Sequence, residues 1–137
     1  MNNLSFFETT GFSMWPFFKQ GRKLIIKKTT VEDLRIGDII LYRSGNQLVC
    51  HRLIKKVKLN NEWLLYARGD NSISLPECVN GQMLLGKAIG IMRGAGKTIF
   101  LDTRKQQFLN RFIVIIAPFI IRVFKPYYIR FHKFLRR

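Results

Sequence analysis

From Lys23 to Leu101 the apolar positions come in short runs cut by turn chemistry, and the runs are rich in Ile, Val, Leu and aromatic residues. "KLIIKK" (23–28), "DIILYR" (38–43), "QLVCHRLIKKVKL" (47–59) and "EWLLYAR" (62–68) read as strands. Ile36-Gly37-Asp38, Ser44-Gly45-Asn46, Asn60-Asn61 and Gly69-Asp70-Asn71 separate them as hairpins or loops. A last pair, "GKAIGIMR" and "KTIFLDT", is joined across Gly94-Ala95-Gly96. The pattern predicts a mainly β fold, a compact antiparallel domain over residues 1–103.

Beyond Thr103 the period changes, and residues 104–137 are expected to form a basic, apolar helical tail. "RKQQFLNRFIVIIA" reads as helix up to Pro118, with a second segment following to Arg137. On a helical wheel Arg122, Lys125, Arg130, Lys133, Arg136 and Arg137 share an arc of roughly 140°. Ile120, Phe124, Tyr127, Phe131, Phe134 and Leu135 lie opposite, and Pro126 sits on the polar side, where it kinks the helix or marks its first turn. Arg111 and Arg122 bracket only ten apolar residues, short of the about 20 that a membrane-crossing helix needs. The expectation is therefore a helix lying in the membrane interface, with packing on the β domain or in a partner's groove as the other use of such a face.

Charge sharpens this. The chain has 137 residues, one domain's length, with 24 Lys and Arg against 8 Asp and Glu, net +16. Residues 1–102 net +7, whereas 103–137 carry 9 basic residues and no acidic one. So basic and so apolar a tail fits an anionic membrane surface better than nucleic acid, which is not an expected partner. "MNNLSFFETT" has neither the charged leader nor the long apolar stretch of a signal peptide or anchor, so attachment is expected from the other end.

Little of the remaining chemistry points to a cofactor. Cys50 and Cys78 stand in no metal-binding spacing and are expected to be reduced thiols; no metal or cofactor is expected. "GAGKT" (94–98) fails as a phosphate loop, because Ile91 occupies the place of its first glycine and the segment joins strands. Ser13 in "GFSMWP", His51 in "LVCHRLI" and Asp70 in "ARGDNS" are the types a serine nucleophile, its base and an orienting acid require. The second histidine, His132, lies on the tail, and strand alternation sends His51 and Arg52 to opposite faces.

In order and spacing these pieces resemble the type I signal peptidases, in the histidine branch found in archaea, the endoplasmic reticulum and some Gram-positive bacteria. That family has a Ser-Met-x-Pro box, a Val-His-Arg-Val strand and a Lys-Gly-Asp-Asn box; here they read "SMWP" (13–16), "VCHRLI" (49–54) and "ARGDNS" (67–72). "LRIGDIILYR" (34–43) and "LLGKAIGIM" (84–92) are similar to two further family strands, so the resemblance covers about residues 10–102. It implies a β-rich signal-peptidase-like fold and a serine endopeptidase cutting a leader or precursor peptide. Ser13 would be nucleophile and His51 base, with Asp70 or Glu77 as the acid, because Leu75-Pro76 replaces the family's usual aspartate. Gly11, Met14, Trp15 and Pro16 would surround the oxyanion and substrate, with Phe17 and Phe18 extending the apolar surface. The Ser13 N–H is the expected oxyanion donor. The family's anchor precedes the serine box, and the basic tail would substitute for it, with Arg111 and the basic arc as membrane contacts. A lysine base, Lys23 or Lys55, would instead show as activity confined well above pH 8, and a domain without its usual aspartate could serve as a peptide-binding module.

Overall fold

The computed structural model describes residues 3–11, 13, 14 and 21–135, with side chains described as far as Phe124. Among the described residues eight strands form one antiparallel sheet: β1 (Leu4–Glu8), β2 (Lys23–Lys27), β3 (Ile39–Ser44), β4 (Gln47–Leu59), β5 (Glu62–Arg68), β6 (Glu77–Asn80), β7 (Leu84–Arg93) and β8 (Lys97–Phe100). One helix, α1 (Arg104–Leu135), follows. The order across the sheet is β1-β2-β7-β3-β4-β5-β6. β8 pairs with β7 beyond the point where β3 leaves it. The fold is mainly antiparallel β, a curled half-barrel with a C-terminal helix, as the apolar pattern predicts.

The hairpins follow local chemistry. Asn60 and Asn61 both take positive φ (49° and 63°) between the paired Leu59 and Glu62, which matches the twist of the flanking strands. Gly45 takes φ 57° in the two-residue turn between Ser44 and Gln47 and so sets the β3–β4 register. Gly94 to Gly96 is the β7–β8 turn, with Ala95 and Gly96 at φ 64° and 73°. β1 and β6 are additions to the sequence expectation; both are short, and each is defined by pairing along a neighbour, β2 and β5 respectively.

β3 is covered on both faces, which is why "IILY" is continuously apolar. Ile39 and Leu41 pack with Leu24, Ile26, Cys50, Ala88 and Ile91 on one side. Ile40 and Tyr42 pack with Leu34, Leu53, Leu65, Ala67 and Val79 on the other.

The tail departs from expectation in two ways. It is a single helix through both Pro118 and Pro126. Each proline removes only its own bond to the carbonyl four residues earlier, and the helical bonds on either side carry the chain across. Secondly, Arg111 and Arg122 do not limit the apolar length. The stretch Arg104–Phe124 is 21 residues and contains an 18-residue window with a mean hydropathy of 1.7, long and apolar enough to cross a membrane. Isolated arginines are accommodated in such a helix because their stems reach toward the interface. Phe108, Phe112, Ile115, Phe119 and Phe124 are exposed.

One side of α1 docks on the β domain through Asn110 and Ile113, both buried. Gly37 makes the approach possible: a Cβ there would lie 2.9 Å from the Asn110 carbonyl carbon, and φ is 97°. Gly45 also has positive φ, but nothing lies within 4 Å of its Cβ position. Gly45→Ala should therefore cost about 1 kcal/mol of backbone strain, and Gly37→Ala that strain plus about 1–3 kcal/mol of displacement of α1. Thermal unfolding of the two variants in parallel checks the order; equal losses would show that α1 is not seated on Gly37.

Candidate active site

Consecutive residues of β4 alternate faces and serve separate parts of the site. Ile40 is paired with His51 and Tyr42 with Val49, so Tyr42 and His51 are diagonal neighbours on one face. The Tyr42 hydroxyl lies 3.0 Å from His51 Nδ1 and 2.8 Å from Glu77 Oε2. Glu77 opens β6, three strands from β3, and reaches Tyr42 because the sheet curls; its Oε1 accepts from Ser44 Oγ at 2.7 Å.

The proton positions follow from valence. A phenol has one proton and an ionised carboxylate only accepts, so Tyr42 donates to Glu77 and accepts from His51 Nδ1–H. That tautomer leaves Nε2 as the basic nitrogen. Burial moves the His51 pKa below its ordinary 6.5, opposed by the charges of Glu77 and Asp70. Burial first, then the bond to Glu77, pushes the Tyr42 hydroxyl far above its usual value, so it stays a neutral link.

On the opposite face, Arg52 is 1% exposed. Its Nε and Nη2 bind Asp70 Oδ1 and Oδ2 at 2.8 and 2.7 Å, a bidentate pair. Its Nη1 donates to the Gly37 carbonyl at 2.9 Å and to Asn110 Oδ1 on α1 at 3.1 Å. Asp70 lies in the turn Gly69-Asp70-Asn71, where the Asn71 N–H donates to the Ser13 carbonyl at 2.8 Å. A Cβ on Gly69 would stand 2.6 Å from that same oxygen, so glycine is required for Ser13 to sit against the turn. Of the two carboxylates weighed for the acid, Asp70 is bonded by Arg52, and Glu77 is the one joined to His51 by hydrogen bonds, through Tyr42 and not by direct contact.

Ser13 is exposed and lines a cavity of about 370 Å³ together with His51, Gly11, Met14, Phe7, Thr9 and Glu77. Among the described residues no hydrogen bond joins Ser13 Oγ to His51. Such contacts are often long without substrate. Gly11, at φ 81°, borders the cavity with open space at its Cβ position. Met14 is 3% exposed and belongs to the core cluster beneath, so its main role is to anchor the Ser13 turn. Trp15, Pro16, Phe17 and Phe18 lie outside the described residues.

Neither Lys23 nor Lys55 lines this cavity, nor does any other described lysine. Lys55 Nζ lies 6.0 Å over the Tyr66 ring. Cys50 does line it, but burial pushes its thiol up to about 12, a poor nucleophile at neutral pH. Cys50 and Cys78 are free thiols. Arg111 and Arg122 are exposed on α1. Lys125, Arg130, Lys133, Arg136 and Arg137 have side chains outside the described residues.

Tyr42, Arg52 and Asn110 are the site residues that motif reading alone passes over. Tyr42 could have been found: the two-residue turn at Gly45-Asn46 fixes a register that puts it beside His51. No protein-family model matches the chain, and no curated protein matches it.

Removing either partner of the Arg52–Asp70 pair strands the other charge in the interior. Arg52→Met and Asp70→Leu should each lose about 3–5 kcal/mol in urea unfolding, and the double variant Arg52→Met/Asp70→Leu should lose less than their sum. Additive losses would mean that the two side chains are not coupled.

Proposed function

We propose that the chain is a serine endopeptidase of the signal peptidase type, cleaving a leader or precursor peptide at a membrane surface. The observation that carries this is the shared cavity of Ser13 and His51, with the His51 Nδ1 proton held on Tyr42 so that Nε2 is the base. The order of the Ser13, His51 and Gly-Asp-Asn boxes supports it independently.

In this reading Ser13 Oγ attacks the scissile carbonyl carbon as His51 Nε2 takes its proton. The Ser13 N–H receives the developing oxyanion. The tetrahedral intermediate then collapses, the peptide C–N bond breaks, and the imidazolium returns the proton to the leaving amine. A water, deprotonated by His51, attacks the acyl-serine ester and regenerates Ser13. Tyr42 and Glu77 are positioning residues: they hold the ring and stabilise the imidazolium through the Nδ1–H···Oη–H···carboxylate chain. The exposed apolar face of α1 supports membrane attachment, lying in the interface or crossing it.

A second reading, a peptide-binding module without activity, is favoured by the missing Ser13–His51 hydrogen bond. A fluorophosphonate probe separates the two. Wild type should label, Ser13→Ala should not, and His51→Gln should label about 100-fold slower or worse. Equal labelling of wild type and Ser13→Ala would falsify the nucleophile assignment, and an unlabelled wild type would favour the binding module.

Acid sensitivity gives a further check. His51 must be neutral to act and its pKa lies below 6.5, so activity should persist as pH falls past 6.5 and disappear only through the lowered value. Glu77→Gln removes a charge that raises this pKa, so its acid limb should move lower still. Tyr42→Phe should reduce kcat about 10- to 100-fold by freeing the Nδ1 proton. An acid limb above 6.5 in wild type would contradict this assignment.

A further inference from the structure

A second cavity, about 330 Å³, lies where α1 leaves the β domain and is lined by Arg35, Arg104, Gln107, Phe108 and Arg111, among others. Arg104, Phe108 and Arg111 fall on one face of the helix by their spacing of four and three. Arg35 comes from the loop before β3 and donates from its guanidinium to Gln107 Oε1, which joins the two walls. Among the described residues, none of the three guanidiniums has a carboxylate within ion-pair distance; the ion pairs present belong to Arg52 and Lys87. Asp38 also borders the cavity, but its carboxylate is engaged by the Arg35 backbone N–H at 2.9 Å and by Lys87 at 3.5 Å.

We propose that this cavity binds the phosphate of an anionic membrane phospholipid. Three arginines around one recess supply the paired N–H donors that match phosphate oxygens, which dispersed lysines would not. The apolar side of the recess indicates a lipid as the source of the phosphate. Phe108 is 76% exposed at its rim, and Phe112, Ile115 and Phe119 continue as exposed apolar residues along α1. A headgroup in the recess would leave its acyl chains against that stripe. The site rests on the reading that α1 meets a membrane. It adds a specific headgroup contact which fixes the β domain, and so the Ser13 cavity, against the bilayer surface.

The test uses full-length protein and phosphatidylcholine vesicles carrying either phosphatidylglycerol or, at equal surface charge, the carboxylate lipid cholesteryl hemisuccinate. Wild type should bind the phosphatidylglycerol vesicles about tenfold more tightly. The charge-preserving variant Arg35→Lys/Arg104→Lys/Arg111→Lys should lose that preference, and a remote control, Lys27→Gln/Arg93→Gln/Lys97→Gln, should keep it while binding both vesicles more weakly. Equal binding of wild type to both vesicles, or equal preference in the lysine variant, overturns the phosphate site and leaves membrane attachment standing. Failure of wild type to bind either vesicle overturns the membrane reading itself. Displacement from phosphatidylglycerol vesicles by inorganic phosphate at a concentration no greater than that of the exposed lipid, but not by chloride at matched ionic strength, overturns the lipid as the source; competition only at far higher phosphate is the expected result.

Discussion

One buried guanidinium ties the molecule together. Arg52 holds Asp70 through two hydrogen bonds, the Gly37 carbonyl through a third and Asn110 through a fourth, so a single side chain joins three segments far apart in sequence. Desolvating such a pair costs nearly as much as the pair returns, so its net contribution to stability is small. Its consequence is geometric. With Asp70 fixed, the Gly69-Asp70-Asn71 turn is fixed, and the Ser13 carbonyl is bonded to that turn. With Asn110 fixed, α1 is seated over Gly37.

His51 precedes Arg52, and strand alternation gives the two residues separate surroundings. The arginine lies with Asp70 and α1, whereas the imidazole meets Tyr42 and the cavity. A carboxylate touching the ring directly would raise its pKa; here a neutral hydroxyl stands between them, and burial wins, leaving the pKa below 6.5. The arrangement therefore keeps His51 unprotonated near neutrality and still provides a path of hydrogen bonds that can stabilise a transient imidazolium. The curl of the sheet makes this possible, because Glu77 belongs to a strand three places away from Tyr42.

Local chemistry made much of the fold legible in the sequence. Asn60-Asn61, Gly45-Asn46 and the Gly94–Gly96 turn declare their hairpins through residues that tolerate positive φ. Other features depend on non-local terms. The four-residue β6 shows no pattern of its own and exists through pairing with β5, and so Glu77 could be weighed only as a possible acid. Asp70 and Glu77 could not be told apart as the acid, because spacing gives neighbours along the chain but not the face on which a carboxylate finds its partner. The proline positions suggested two tail segments, although the cost of a proline is confined to one turn and the apolar helix around it continues.

The claim most exposed to test is the protonation of His51. Nitrogen-15 NMR of imidazole-labelled protein in a His132→Gln background reads both the tautomer and the pKa of His51 alone. The expected result is a proton on Nδ1, an unprotonated Nε2 at neutral pH and a pKa below 6.5, with the Nδ1–H signal altered in Tyr42→Phe. A proton on Nε2, or a pKa above 6.5, would contradict the account of His51 as the base facing Ser13.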